Sequence, residues 1–163
     1  MRIERVVVNA SPLICLCKSG LSEILPELFA DIVVPARVYQ EITIKEDITR
    51  ACRQLFSQQE VKVISAIVIP SSVMSWDLGE GESSVLAYAL NHPECWVVID
   101  DLEARKCAAT LGCRYTGTVG IILLAKRRGL ISSAKDCLTK IQNAGLWLSQ
   151  DFVREICLKA GEQ

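Results

Sequence analysis

Short β-branched runs alternate with helical segments along the chain, and this alternation limits the fold more than any other feature of the sequence. Strands are predicted over 5–8, 31–34, 61–69, 96–99 and 114–116, and helices over 12–17, 21–29, 36–42, 47–59, 78–90, 102–111 and 119–128. Strands that are joined through helices form βαβ units and pair in parallel. The sequence therefore predicts an α/β fold of three layers, with a mostly parallel central sheet between two layers of helices.

Two further helices are predicted after the last βα unit. The first runs over 133–144, with Ser133 as its N-cap and Gly145 at its end, and the second runs over 149–160. The chain contains no repeat, low-complexity segment or obvious linker. We therefore expect one α/β domain over 1–131 and a helical extension over 132–163 that packs on or beside it.

The composition is that of a globular protein, since 50% of the 163 residues are hydrophobic and 23% are charged. The formal net charge is −1, so no overall positive field attracts nucleic acid or an anionic membrane. A nucleic-acid ligand would need a local basic patch, and the nearest candidates are Lys126, Arg127 and Arg128, with Arg105 and Lys106 further off. The run at 126–128 also lies at the C-terminal end of a predicted helix, where cations offset the helix dipole.

The eight cysteines show no C-x-x-C spacing, and the lone His92 has no second histidine with which to bind zinc. We expect reduced cysteines that pack as small hydrophobic residues. No apolar run approaches the roughly 18 residues needed to span a bilayer, and no secretory signal is recognisable. The expectation is a soluble, cytoplasmic protein without membrane contact.

Polar side chains follow two of the predicted strands at the point where each strand ends. Asn9 comes directly after the first strand, and Asp100 and Asp101 follow the strand over 96–99. Side chains at the carboxyl ends of parallel strands line the ligand crevice of such a sheet. We therefore expect the amide and the two carboxylates to lie at the same edge.

Three glutamates are predicted to join this edge, because they lie on or just before helices that begin there. Glu41 lies on the helix that follows the second strand. Glu82 lies near the N-terminus of the helix over 78–90, where the helix dipole favours a carboxylate, and Glu80 lies in the preceding turn.

Converging carboxylates repel one another by about 4 kcal/mol per pair at roughly 4 Å and an effective dielectric near 20. A hard divalent cation such as Mg²⁺ or Mn²⁺ removes this cost and takes oxygen ligands. Such a site activates water and stabilises charge on a phosphoryl group. The cluster thus suggests metal-dependent phosphodiester hydrolysis, and the spacing alone does not separate a nuclease from a phosphatase.

Each of these residues also has a purely structural interpretation. Asn9 and Ser11 could cap the helix that follows them. Glu41 could be a solvated helix residue. Asp100 and Asp101 could cap the helix that begins at Leu102. The metal-site hypothesis is favoured because these positions meet at one sheet edge.

The sequence resembles the PIN-domain ribonucleases, which include VapC-like toxins, and within them a PIN-like branch often encoded beside small antitoxin-like partners. The resemblance rests on VVVNASPLI at 6–14, VVPARVYQEI at 33–42, LGEGESSVLAYAL at 78–90, VVIDDLEARKCA at 97–108 and GTVGIILLAKRRGLI at 117–131. It implies a PIN-like fold, RNA as substrate, Mg²⁺ or Mn²⁺ as cofactor, and an antitoxin protein or a second copy of the chain as partner.

The resemblance also implies roles for single residues. The family's first acid, an aspartate two residues before a Ser or Thr, is replaced by Asn9, with Ser11 as the matching hydroxyl. The other acids fall on Glu41, on Glu82 and on Asp101, with Asp100 as the neighbouring alternative. An amide can bind a metal but brings no charge. The expected function is therefore a metal-dependent endoribonuclease, with a weakly active or inactive module that binds RNA or a protein as the alternative.

Overall fold

The computed structural model describes residues 1–163, and all strands belong to one sheet. The strands are β1 (Ile3–Val8), β2 (Phe29–Pro35), β3 (Val61–Ile64), β4 (Trp96–Val98) and β5 (Arg114–Thr116). They pair in parallel in the order β3-β2-β1-β4-β5, so the predicted α/β fold with a parallel sheet is confirmed. The strand order reverses between β1 and β4, and in such sheets ligands bind at the carboxyl ends beside this point.

The ten helices begin and end close to the predicted positions, with one addition. They are α1 (Ala10–Lys18), α2 (Ile24–Leu28), α3 (Ala36–Thr43), α4 (Glu46–Phe56), α5 (Ser71–Met74), α6 (Glu80–Asn91), α7 (Leu102–Thr110), α8 (Thr118–Arg127), α9 (Ala134–Asn143) and α10 (Gln150–Lys159). The short helix α5 has no counterpart in the sequence-based prediction. The predicted cap of α9 is confirmed, because the Ser133 hydroxyl accepts a hydrogen bond from the backbone N–H of Asp136.

Two local predictions are wrong. The third strand was expected to reach residue 69, but β3 ends at Ile64, where its pairing with Pro35 of β2 also ends. Ala66 then adopts a left-handed backbone with φ of 59°, which no strand can continue. Ser11 does not cap α1, because Asn9 occupies the N-cap position and Ser11 lies exposed within the first turn.

The buried interior is one cluster of 42 residues, and the C-terminal helices contribute to it. Leu138 and Ile141 of α9 are fully buried, and α9 contacts α1 and α8. The Cys15 thiol of α1 also donates a hydrogen bond of 3.6 Å to the carbonyl of Ile141. All eight cysteines are free and seven are buried, in agreement with their predicted packing role. The helical extension is thus built onto the same core as the α/β domain.

Glu162, which follows α10, attaches the end of that helix to the start of α9. Its carboxylate accepts hydrogen bonds from the backbone N–H groups of Ala134 at 2.6 Å and Lys135 at 3.0 Å. Lys126 of α8 forms an ion pair with the same carboxylate at 3.0 Å. These backbone hydrogen bonds, followed by the Lys126 charge, lower the pKa of Glu162 to about 2. The carboxylate therefore acts as a negative charge at the positive end of α9.

None of the helices combines the length and the apolar character that crossing a bilayer requires.

Candidate active site

Asn9 lies at the carboxyl end of β1, beside the point where the strand order reverses. Its backbone N–H donates to the carbonyl of Val98 at 3.0 Å, which joins the ends of β1 and β4. The side chain is only 5% exposed, and its Oδ1 atom is buried without a hydrogen-bond partner. It makes no capping bond to α1, so the capping interpretation is wrong. Leaving such an oxygen unpaired costs about 1–3 kcal/mol, which a ligand at this position would recover.

Glu82, in the first turn of α6, lies within electrostatic reach of two other acids. The pKa of its half-buried carboxyl is raised by burial first, and then by the charges of Asp101 and Glu41. The backbone N–H of Gly79 opposes this rise. The structure therefore brings three of the predicted acids within electrostatic reach of one another. They are Glu41 of α3, Glu82 of α6 and Asp101 at the start of α7, and we call them the acidic cluster.

Glu41 is held against α6 by a glycine. The residue is exposed, but its carboxylate lies against the backbone of Gly81, whose N–H group lowers the pKa of this carboxyl. A Cβ atom at position 81 would lie 2.4 Å from Glu41 Oε1, so only glycine allows this approach. Burial, and secondarily the charge of Glu80, raise the pKa of Glu41. The G-E-G-E pattern at 79–82 indicates a close approach to the backbone at Gly81, but the sequence does not show that Glu41 is the residue that approaches.

The two neighbouring aspartates have different partners. Asp100 accepts hydrogen bonds from the backbone N–H of Thr118 at 2.8 Å and from its hydroxyl at 2.5 Å. Asp101 caps α7, because its Oδ2 accepts from the backbone N–H of Ala104 at 2.9 Å. Asp101 is also the aspartate whose charge acts on Glu82. Asp100 thus joins the end of β4 to the start of α8. Asp101 both caps α7 and belongs to the acidic cluster.

Arg105, which the sequence offered only as a more distant basic candidate, is a cation at this edge. Its Nε donates to the carbonyl of Ile99 at 3.0 Å, directly beyond β4. Gly117 lies close to both the Arg105 guanidinium and Asp100 Oδ1, and a Cβ atom there would clash with both. Arg105 therefore places a positive charge close to Asp100.

The remaining predicted site residues lie apart from the acidic cluster or on its margin. Glu80 is exposed and forms an ion pair with Arg37 at 3.4 Å. Ser11 is exposed on α1.

Cys15 of α1 lies near the site but is no nucleophile. Burial, with a smaller effect from Asp100, raises the pKa of its thiol to about 11, so the thiol stays protonated.

The predicted basic patch lies at the opposite edge of the sheet. Helix α8 begins beside Asp100 and runs back towards the start of β1, where Arg128 donates to the carbonyl of Met1. Lys126 is paired with Glu162, and Arg127 lies in the same turn. The structure does not bring this basic run together with the acids, because a whole helix separates them.

The oxygen atoms at the carboxyl edge fit a hard divalent cation by their chemistry. No group of three or more His, Cys, Asp or Glu side chains is close enough together to hold a metal ion by itself. Asn9 supplies a buried amide oxygen without a partner, and Glu41 and Glu82 have raised pKa values that a nearby cation would lower. Amide and carboxylate oxygens are ligands that Mg²⁺ and Mn²⁺ accept.

A protein-family model described as a PIN domain matches residues 5–162. The chain belongs to the PIN domain family. This confirms the resemblance noted in the sequence, and the match includes the C-terminal helices of this PIN domain. PIN domains are generally nucleases and typically use divalent metals. No curated protein sequence matches the chain.

Proposed function

We propose that this PIN domain is a metal-dependent endoribonuclease that hydrolyses RNA phosphodiesters. The single observation that best supports a ligand at the site is the buried, unpaired Oδ1 of Asn9. Asn9, Glu41, Glu82 and Asp101 are the residues that would hold Mg²⁺ or Mn²⁺. A bound cation would activate water and stabilise negative charge on the phosphoryl group.

The protein's own residues have three tasks in this proposal. Glu82, in the first turn of α6, supplies a carboxylate that lies within electrostatic reach of both Asp101 and Glu41. Asp100 and Thr118 hold the end of β4 and the start of α8 in register through two hydrogen bonds. Gly81 keeps the Glu41 carboxylate against α6, so that α3 and α6 present their acids to the same space.

A second candidate function is a PIN domain that binds RNA or a protein without cleaving. The neutral Asn9 favours it, because an amide contributes one negative charge less to the cation than an aspartate would. The two candidates differ in an observable way. Only the nuclease requires a divalent cation, and only the nuclease loses its activity when Glu82 is replaced.

The test uses the purified full chain with Mn²⁺ as the probe. We expect Mn²⁺ to stabilise the fold by about 2.7 kcal/mol when it is present at 100 times its dissociation constant. We also expect RNA cleavage with Mn²⁺ that is lost in Glu82→Gln. The matched control is Glu103→Gln, which removes an exposed carboxylate paired with Lys106 on α7. A wild-type chain that cleaves no RNA in Mn²⁺, or a Glu82→Gln variant that cleaves normally, would contradict the nuclease.

The Asn9→Asp variant separates a weak nuclease from a silent module. If the wild-type chain is active, the added charge should tighten Mn²⁺ binding, as measured by electron paramagnetic resonance of free Mn²⁺. If only Asn9→Asp cleaves RNA, the natural chain is the silent module.

We extend the proposal to a toxin of the cytoplasm that a small antitoxin protein controls. Unregulated RNA cleavage stops growth, so induction of the wild-type chain should arrest cells, and induction of Glu82→Gln should not. Co-purification of a small protein with the chain, followed by its mass-spectrometric identification, tests the partner. Light scattering of the purified chain tests a homodimer. Normal growth during wild-type induction at a level where cleavage is measured would contradict the toxin role.

A further inference from the structure

A cavity of about 630 Å³ opens beside the acidic cluster, between the starts of α3 and α6 and the chain that follows β3. Ile67 and Met74 contribute to its apolar wall, and Arg37, Glu80 and Ser84 to its polar end. Its volume lies in the range of roughly 300–1,000 Å³ that is typical of small-molecule sites. It is therefore large enough for a nucleotide.

The polar end of this cavity adjoins the candidate active site. Arg37 lies one helical turn before Glu41 on α3, so both project from the same face of that helix. Glu80 directly precedes Gly81, against which the Glu41 carboxylate lies. If RNA is cleaved at the acidic cluster, a nucleotide next to the cleaved phosphodiester lies beside this cavity.

Arg37 provides the charge that a phosphate needs at this position. Its ion pair with Glu80 is 3.4 Å long, and the two side chains are 56% and 77% exposed. Such exposed pairs contribute little to stability, so Arg37 can readily exchange Glu80 for a phosphate. A guanidinium binds phosphate through two parallel hydrogen bonds. The first turn of α3 also carries no acidic residue, so its dipole adds to the attraction.

The backbone around the cavity is strained in two places. Ala66 and Asp77 have φ values of 59° and 53°, and they are the only non-glycine residues with positive φ in the chain. Both line this cavity. A left-handed backbone is unfavourable for an alanine, and such strain concentrates at ligand sites. The shape of this wall is thus maintained against a local cost in stability.

We propose that this cavity is a nucleotide subsite: Arg37 binds a phosphate, and the apolar wall around Ile67 and Met74 receives the attached base. The assignment deepens the proposed function and rests on it, since it adds a place for one unstacked base beside the acids that would cleave RNA.

The first experiment measures binding without cleavage and without added metal. Adenosine and uridine 5′-monophosphates and inorganic phosphate are titrated into the full chain, and chemical shifts of backbone amides are followed by NMR. We expect at least one nucleotide to bind about tenfold or more tightly than phosphate, with shifts at residues 64–69 and 74–84. Equal affinity for phosphate and nucleotides, or shifts confined to other regions, would overturn the proposal.

The variants test the two halves of the subsite. Arg37→Ala is expected to weaken nucleotide binding by about tenfold, and Ser84→Leu, which adds volume to the cavity wall, by a similar factor. Arg37 is exposed, so its variant should fold even if Ser84→Leu does not. The matched control is Arg154→Ala, which breaks a similarly exposed ion pair with Asp151, at 3.5 Å on α10. Unchanged binding in Arg37→Ala would refute the assignment.

Cleavage kinetics distinguish failure of the subsite from failure of the nuclease. If the nucleotide subsite and the nuclease activity are both correct, Arg37→Ala raises the KM for single-stranded RNA more than it lowers kcat. Cleavage with an unchanged KM in Arg37→Ala would retain the nuclease and reject the subsite. Nucleotide binding at residues 64–84 in a wild-type chain that cleaves no RNA would retain the binding site and reject hydrolysis.

Discussion

Replacing Glu162 by glutamine tests how firmly the C-terminal helices are attached to the PIN domain. The wild-type carboxylate accepts two backbone hydrogen bonds at the start of α9 and pairs with Lys126. Glutamine keeps the shape and one acceptor oxygen but loses the negative charge. The perturbation thus removes the charge at the positive end of α9 while the buried packing of the helix remains.

The magnitude follows from the pKa of the carboxyl. A pKa that falls from 4.5 to about 2 on folding corresponds to at most about 3.4 kcal/mol at 1.36 kcal/mol per pKa unit. The side chain is 17% exposed and lies next to the chain terminus, where water screens its charge. With one acceptor oxygen retained in Glu162→Gln, we expect a loss of about 1.5 kcal/mol, or about 3–6 °C in Tm.

The assay is urea denaturation of both proteins between pH 7 and pH 3. The lowered pKa means that the folded state binds this proton more weakly than the unfolded state. The stabilisation is therefore complete above pH 4.5 and is lost as the pH falls towards 2. The difference between wild type and Glu162→Gln should be constant from pH 7 to about pH 5.5 and should fall by about half at pH 3.

The control variant is Glu155→Gln, which removes an exposed carboxylate that is paired with Lys159 on α10. It should cost no more than about 0.5 kcal/mol. Equal stability of wild type and Glu162→Gln at pH 7, or a difference that is undiminished at pH 3, would refute the electrostatic attachment of the tail.

Three further predictions concern the site. Because burial and neighbouring charges raise the pKa of Glu82, its ionised form destabilises the metal-free fold as pH rises through that pKa. Glu82→Gln should therefore stabilise the chain in EDTA at pH 7 by about 0.5–2 kcal/mol in urea denaturation; a loss of stability would contradict the repulsion. Gly81→Ala should displace the Glu41 carboxylate and weaken Mn²⁺ binding without lowering the Tm, since alanine favours helix; unchanged Mn²⁺ affinity would count against Glu41 as a ligand. Thr118→Val should cost about 1.5–3 kcal/mol in urea denaturation, because Asp100 loses a charge-assisted hydrogen bond; a neutral effect would show that this bond is dispensable.

Much of the fold was predictable because its signals are local. Each strand has a run of β-branched or aromatic residues, and helix boundaries carry short-range signals such as Ser133 and Gly145. The error at 61–69 has a tertiary cause. Residues 65–69 have strand-like composition, but β2 ends at Pro35 and leaves them without a pairing partner. Composition alone cannot show where a neighbouring strand stops.

The common edge of the predicted site was predictable for a geometric reason. Parallel strands end at one edge, so Asn9 had to lie beside the end of β4 once the topology was right, and its backbone N–H bonds the carbonyl of Val98. Arg37 and the cavity beside it carried no local signal, because their role depends on contacts between α3, α6 and the chain after β3. The basic run at 126–128 was misleading, since sequence shows that charges cluster but not at which end of the molecule they lie.

The order of hydrophobic and polar residues, by itself, determined that this chain forms a parallel α/β sheet and which oxygen-bearing residues follow its strands. Both depend on periodicity within a few residues. Only the tertiary structure decided that Asn9 Oδ1 has no partner, that Gly81 receives the Glu41 carboxylate, and that Glu162 anchors α9. Each of these features depends on segments that are far apart in the chain, so it arises only when the elements have packed against one another.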